Sequence, residues 1–322
     1  MERKNVFLTA ACVLVPLLTG CGEESFLEST DRALRLQSVQ VAEDNTYTGN
    51  TRAGALGATP MTKIGVYVTA DNHSALAENA KSVFELKSGT WSSTTPPKID
   101  AVETTPDRVY AFFPSEGEVT NGGSANHTIL VQVVADNFLS VQTDYLYATP
   151  ATVHAGSRAV AFTMNHALSK VSFKILKSAS VSEKLTLTKI EVLSGTNRLQ
   201  LGTNGTMNLS TGKLNGLAAT GSLILTGSTV LNTLQEQPNV SCLVAPMTAL
   251  ETKLYFRLSV RVAGEDKDRI FETATVGGDG VQWEAGYHYV YKMTVNKMSG
   301  SLNGIMIDGW KNDANQNTGI GI

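Results

Sequence analysis

Short runs in which apolar and polar residues alternate recur along this chain, separated by turn residues. The first, Leu34 to Val41, puts Leu34 and Leu36 on one parity and Val39 and Val41 on the other, which predicts an extended strand interrupted by a bulge or shift. Lys63 to Thr69, Arg108 to Phe113, Thr128 to Val134 and Tyr145 to Ala148 follow, each short and β-branched or aromatic. A second set covers Ala159 to Met164, Lys170 to Leu176, Leu185 to Leu193, Ser222 to Thr226, Val240 to Ala245, Lys253 to Val262, Ile270 to Val276, Tyr287 to Val295 and Leu302 to Ile307. Strands at this spacing, joined by glycine-rich turns, predict an all-β chain of sandwich type. The single helical hint is Ser74 to Ala80, where Ala75, Leu76 and Ala80 suit one or two turns.

The chain has 322 residues, which suits two domains, and its polar, turn-rich stretch from Thr149 to Gly156 predicts a boundary near residue 156. Hydrophobic residues at 42% can bury a core, while charged residues make up only 17%. Thr, Ser, Asn and 28 Gly take the place of charge, a composition that argues against disorder, coiled coil and helical bundle. With a formal charge of -3 and no block of Lys or Arg, the chain lacks the basic surface that nucleic-acid binding needs.

The N-terminus reads as an address. Arg3 and Lys4 precede an apolar stretch from Val6 to Leu18, whose length as a helix is about 20 Å, short of a hydrocarbon layer of roughly 30 Å. Leu18-Thr19-Gly20-Cys21 resembles the bacterial lipobox, in which the cysteine is acylated and becomes the first mature residue; an ordinary signal peptide with an incidental Cys21 is the alternative. Several acyl chains on one cysteine anchor a protein stably in a membrane. Gly22-Glu23-Glu24 includes an acidic pair similar to signals that send lipoproteins to the outer face of the outer membrane. The expected order is therefore a signal peptide (1–20), a polar segment with one strand (21–52), and domains at 53–156 and 157–322.

Candidate chemistry is sparse. Cys12 leaves with the signal and Cys21 is the lipid site, so Cys242 remains as the ordinary thiol, in an apolar run where an inert buried cysteine is expected. His73, His127, His154, His166 and His288 are far apart in sequence and form no zinc-type spacing; His166 suits a strand-end hydrogen bond. Gly277-Gly278-Asp279-Gly280 reads as a hairpin turn, not a phosphate cradle, because no helix follows it. No nucleophile elbow or calcium loop is present, and no metal or other cofactor is expected. Trp91, Trp283 and Trp310 raise the question of sugar stacking, but core or rim packing is the expected reading for each, with stacking as the alternative. Asn45 to Gly54 is a linker of small residues around Arg52, accessible to a trypsin-like protease, although any exposed loop can hold an arginine.

Several of these pieces, in this order, resemble the fimbrillin family, the pilin and pilin-like lipoproteins of type V pili. They are the Cys21 lipobox, the Leu34 to Val41 strand before Thr51-Arg52-Ala53, Lys63-Ile64-Gly65-Val66-Tyr67-Val68, Arg108 to Pro114, Phe162 to Val171 and Gly286 to Tyr291. The run Phe162 to Val171 looks most like the family's opening of its second domain.

The resemblance implies two tandem transthyretin-like β-sandwiches, export as an outer-membrane lipoprotein through Cys21, and no enzymatic activity. It also implies cleavage between Arg52 and Ala53 by an arginine-specific protease. Arg32 and Arg35 are poorer sites, since a cut there leaves most of the strand behind. Cleavage after Arg52 removes six acids and three arginines from the lipidated form, moving its formal charge from -4 to -1. The exchanged strand would be Leu34, Leu36, Val39 and Val41. A groove emptied of it would recruit a strand from another fimbrillin subunit, burying four or five apolar side chains at roughly 1.5 to 3 kcal/mol each. The candidate donor is the C-terminal segment with Leu302, Ile305 and Ile307. The resulting expectation is a pilus subunit or tip adhesin. A surface glycan-binding lipoprotein is the alternative.

Overall fold

The computed structural model describes residues 32–42, 61–76, 79–100, 104–122, 124–138, 142–235, 237–276, 280–296 and 300–309. The chain is all-β, and no helix occurs among the described residues. In chain order the strands are β1 (Arg35–Val41), β2 (Lys63–Thr69), β3 (Lys81–Lys87), β4 (Thr90–Ser92), β5 (Asp107–Phe113), β6 (Val119–Thr120), β7 (Thr128–Val133) and β8 (Leu146–Ala148). Next come β9 (Ala151–Val153), β10 (Ala159–His166), β11 (Ser169–Lys177), β12 (Leu185–Ser194), β13 (Leu199–Asn208), β14 (Leu214–Asn215), β15 (Ala218–Thr220) and β16 (Ser222–Leu231). The last are β17 (Val240–Val244), β18 (Met247–Glu251), β19 (Leu254–Val262), β20 (Asp268–Glu272), β21 (Val281–Trp283), β22 (Tyr287–Val295) and β23 (Gly300–Gly309).

An eight-stranded sheet runs β1-β10-β8-β5-β2-β3-β4, with β9 beside β5. Period-two alternation gives this sheet two apolar faces. Ile64, Val66, Val68, Phe84, Val109 and Ala111 point to one, where they meet Leu34, Leu36, Val160 and Phe162. Tyr67, Tyr110 and Phe112 point to the other, against Ile129, Val131, Val133 and Met207 of the sheet ordered β14-β13-β7-β6. At Gly65 the Phe112 ring lies where a Cβ would stand, 2.3 Å from its nearest atom, so only glycine fits there.

Two further sheets, β17-β11-β22-β23 and β16-β12-β19-β20, enclose the largest core. Val171, Phe173 and Ile175 alternate inward from β11, and Phe173 and Tyr291 both lie within 6 Å of the Phe256 ring, at 5.2 and 4.7 Å between centroids. Trp283 is fully buried there and donates its indole N–H to the Tyr291 hydroxyl at 2.8 Å. Residues Ala135 and Phe138, from the stretch after β7, reach into this same core, where Phe138 lies over Gly227.

Two expectations change, while Trp91 and Trp283 pack as expected. Ser74 to Ala80 starts no helix in its described part, since Ala75 forms a bridge with Thr69 that closes the chain into a tight turn. Residues 277–279 of the glycine run lie outside the described residues, but the strands on either side of it do not pair with each other, since β20 pairs with β19 and β21 with β18. Trp91 and Trp283 are buried, at 8% and 0% exposure, and present no open face to a sugar ring. From Arg32 onward the described residues fall in one compact unit, within which β10 belongs to the sheet of β1 to β5, β8 and β9, and β7 pairs with β13.

Candidate functional site

The segment Leu34 to Val41 is the edge strand of the eight-stranded sheet. It runs parallel to β10, with Leu36 opposite Val160 and Ser38 opposite Ala161, so Gln37 is an extra residue with no partner in the ladder. This bulge switches the parity, and Leu36 and Val41 consequently both turn inward, as the sequence pattern requires. Leu34, Leu36 and Val41 are buried and Val39 is partly buried. The full complement is thus three aliphatic side chains and part of a fourth, fewer than the four or five expected. Three at about 1.5 to 3 kcal/mol each give on the order of 5 to 9 kcal/mol before ordering costs.

Backbone bonds hold the strand at both ends. Arg35 N–H donates to Arg158 O at 2.9 Å, and Ala42 N–H to Met164 O at 2.8 Å. On the other flank Leu34 N–H donates to Pro97 O at 2.9 Å, and Ile99 N–H to Arg32 O at 2.8 Å. The stretch 97–99 follows β4, the opposite edge of the sheet, so the start of β1 bridges the two edges. Arg32 and Asp100 form a salt bridge beside it, with both side chains nearly half exposed. The sequence pattern did not reveal this flank, because Pro97-Lys98-Ile99 has no strand signature; the buried Pro97 and Ile99 carry the contact.

The C-terminal candidate strand is β23, which pairs antiparallel with β22 at the edge of its own sheet. Leu302 sits opposite Met293, Ile305 opposite Tyr291 and Ile307 opposite Tyr289. Asn303 is an extra residue between Leu302 and Gly304, a bulge like that in β1. Cys21, Arg52, Ala53 and Trp310 lie outside the described residues.

The remaining polar groups form structural contacts. The His166 ring is 2.6 Å through Nδ1 from Asp144, both buried, at the end of β10. Burial pushes the Cys242 thiol up to about 12, which keeps it protonated and unreactive. Unlike the sequence separation, the fold does bring two histidines together: the His73 and His127 rings are 6.1 Å apart, with Tyr67 and Tyr110 edge-on to His127 at 5.2 and 4.9 Å. His127 is fully buried, and neither of its nitrogens has a hydrogen-bond partner. Burial first, and His73 second, lower its pKa. Among the described residues no group of three or more His, Cys, Asp or Glu is arranged to hold a metal.

What this site offers is a seat for an extended strand, built from main-chain groups and an apolar floor. Solved structures share the fold. A candidate cell adhesion protein from Bacteroides uniformis is 18% identical over 86% of this chain and 98% of its own, with a TM-score of 0.57. A fimbrial protein from Bacteroides vulgatus is 13% identical over 87% of this chain and all of its own, also at 0.57. A candidate cell adhesion protein from Bacteroides ovatus is 19% identical over 87% and 98%, at 0.56. No curated protein matches the chain. The fimbrillin-like family profile matches residues 51–310, most of the chain, and this protein belongs to the fimbrillin-like family.

Proposed function

We propose that this chain is a cell-surface pilus subunit or pilus adhesin, exported as a lipoprotein on Cys21 and assembled by exchange of its first strand. Membership of the fimbrillin-like family and the likeness to fimbrial and cell adhesion proteins support the general role. The carrying observation for the mechanism is that β1 is an edge strand whose side chains complete a core, its backbone ladder running along β10 while the residues just before it bridge to the stretch 97–99. Loss of this segment breaks its ladder with β10 and the short bridge to 97–99 but leaves the pairings among the other strands in place, and it bares an apolar floor and unpaired main-chain groups. The linker with Arg52 follows that strand directly, so a cut between Arg52 and Ala53 turns a tethered plug into a dissociable peptide. A strand from a second fimbrillin subunit then takes the seat, with the C-terminal segment around Leu302, Ile305 and Ile307 as donor. We retain two tandem transthyretin-like sandwiches, 53–156 and 157–322, as part of this proposal. Binding of glycans through Trp91 or Trp283 has no support, since both indoles are buried.

The test treats the purified precursor with an arginine-specific protease. A product beginning at Ala53, followed by strand-dependent polymers under electron microscopy, is the expected result. A precursor that resists trimming near Arg52, or a trimmed subunit that refuses every strand peptide, overturns it.

A further inference from the structure

We infer that the parallel ladder between β11 and β22 is the tension-bearing junction of the molecule. The direction of load in this argument rests on the proposed pilus role; the strength of the ladder does not. Ladder bonds lie across the strands, so the outcome of a pull depends on where it is applied. Two parallel strands drawn from opposite ends slide past each other, and every bond must fail together. Drawn from the same end, they open one bond at a time.

The connectivity imposes the first case. A strand seated on β10 pulls on β10, which passes through Ala167 and Leu168 alone into the N-terminal end of β11. Those two residues are buried and pinned: Ala167 N–H donates to Tyr145 O at 2.8 Å, and Gly286 N–H to Leu168 O at 2.9 Å. At the other side, β23 draws on the C-terminal end of β22. The ladder between them runs unbroken from Lys170 opposite His288 to Lys177 opposite Val295, with no register shift.

One face of the ladder is sealed from competing water, and the other is tied by side chains. Val171, Phe173, Ile175, Tyr289, Tyr291 and Met293 bury one face in the largest core. On the other, the Ser172 hydroxyl bonds at 2.7 Å to both Ser241 and His288, tying β17, β11 and β22 by side chains as well. The neighbouring ladder, β22 with β23, is an antiparallel hairpin that a pull from the chain end opens progressively.

Single-molecule pulling of the full chain tests this in two geometries. Handles at Ser157 and the C-terminus load the ladder in shear; handles at Ser180 and the C-terminus load it from one end. The expected rupture force is several-fold higher in the first. A disulfide between the register partners Lys174→Cys and Lys292→Cys should then abolish that strong step when oxidised and restore it when reduced. Equal forces in the two geometries, or a strong step indifferent to the disulfide, overturn the inference while leaving protease trimming and polymerisation of the precursor as they were.

Discussion

The side-chain amide of Gln142 pairs with the backbone of Leu243 as a neighbouring strand would: Leu243 N–H donates to Oε1 at 2.7 Å, and Nε2 donates to Leu243 O at 2.8 Å. Nε2 also donates to Val134 O at 3.0 Å. One amide thereby covers the outer edge of β17 and ties it to the stretch between β7 and β8. Gln142→Ala leaves Leu243's main-chain groups buried without partners, and an orphaned buried pair costs about 1 to 3 kcal/mol. Urea unfolding should show that loss, with Gln142→Glu falling between, since it keeps the acceptor and loses the donor.

Phe138 and Gly227 form a second tie. A Cβ on Gly227 would stand 2.3 Å from the Phe138 ring, so Gly227→Ala must expel the ring from the core. Phe138→Ala should cost about 3 to 5 kcal/mol, the usual range for a buried phenylalanine. The double variant should lose much less than the two single losses added, because the ring's clash goes with it and only the Cβ of residue 138, 2.9 Å from the added methyl, still crowds the site. Thermal melts of the three proteins check this.

His127 gives the fold an acid limit. Its folded-state pKa lies below the ordinary 6.5, through burial and the nearby His73. The unfolded chain therefore takes up a proton first, so the contribution is whole above pH 6.5 and is lost as pH falls toward the folded-state value. Tyr67 and Tyr110 stay neutral throughout, their pKa values raised by burial. Since neither imidazole nitrogen has a partner, His127→Phe should be at least as stable at pH 7.5 and should flatten the fall of melting temperature between pH 7 and 5.

At the seat itself, Leu36→Ala in the uncut precursor should weaken the hold on β1 by about 2 to 5 kcal/mol. Hydrogen exchange should then rise in residues 35–41 of the variant. After trimming at Arg52, variant and wild type should have the same melting temperature, because the altered residue has left.

Trp91→Ala distinguishes a core tryptophan from a sugar platform. Burial against the floor of the eight-stranded sheet predicts a loss of about 3 to 5 kcal/mol in stability. Calorimetry against a glycan panel should register no difference between the two proteins.

Local pattern carried much of the fold. Lys63–Thr69 and Tyr287–Val295 are strands with the bounds their alternation indicates, and the parity switch between Leu36 and Val39 is a bulge. Strand β13 escaped because Gly202, Thr203, Asn204 and Gly205 dilute its apolar positions, leaving Met207 as the one large residue fully buried near its end. Lys81–Lys87 escaped because its lysines and glutamate mask the inward Phe84. Ala75 and Leu76 suggested a helix, but helical spacing over so few residues carries little weight against a bridge to Thr69. For the candidate site, the strand was legible and its neighbours were not. No periodicity in Leu34 to Val41 can announce that Val160 lies opposite Leu36, more than a hundred residues on.

That distance has a cost during synthesis. The first strand made must wait for β10 before any of its ladder can form, and by then half the polypeptide has been synthesised. Until then, its three aliphatic residues and the apolar floor they will cover are both open to chance partners. A nascent chain of this kind is at its stickiest in the interval between residues 41 and 166.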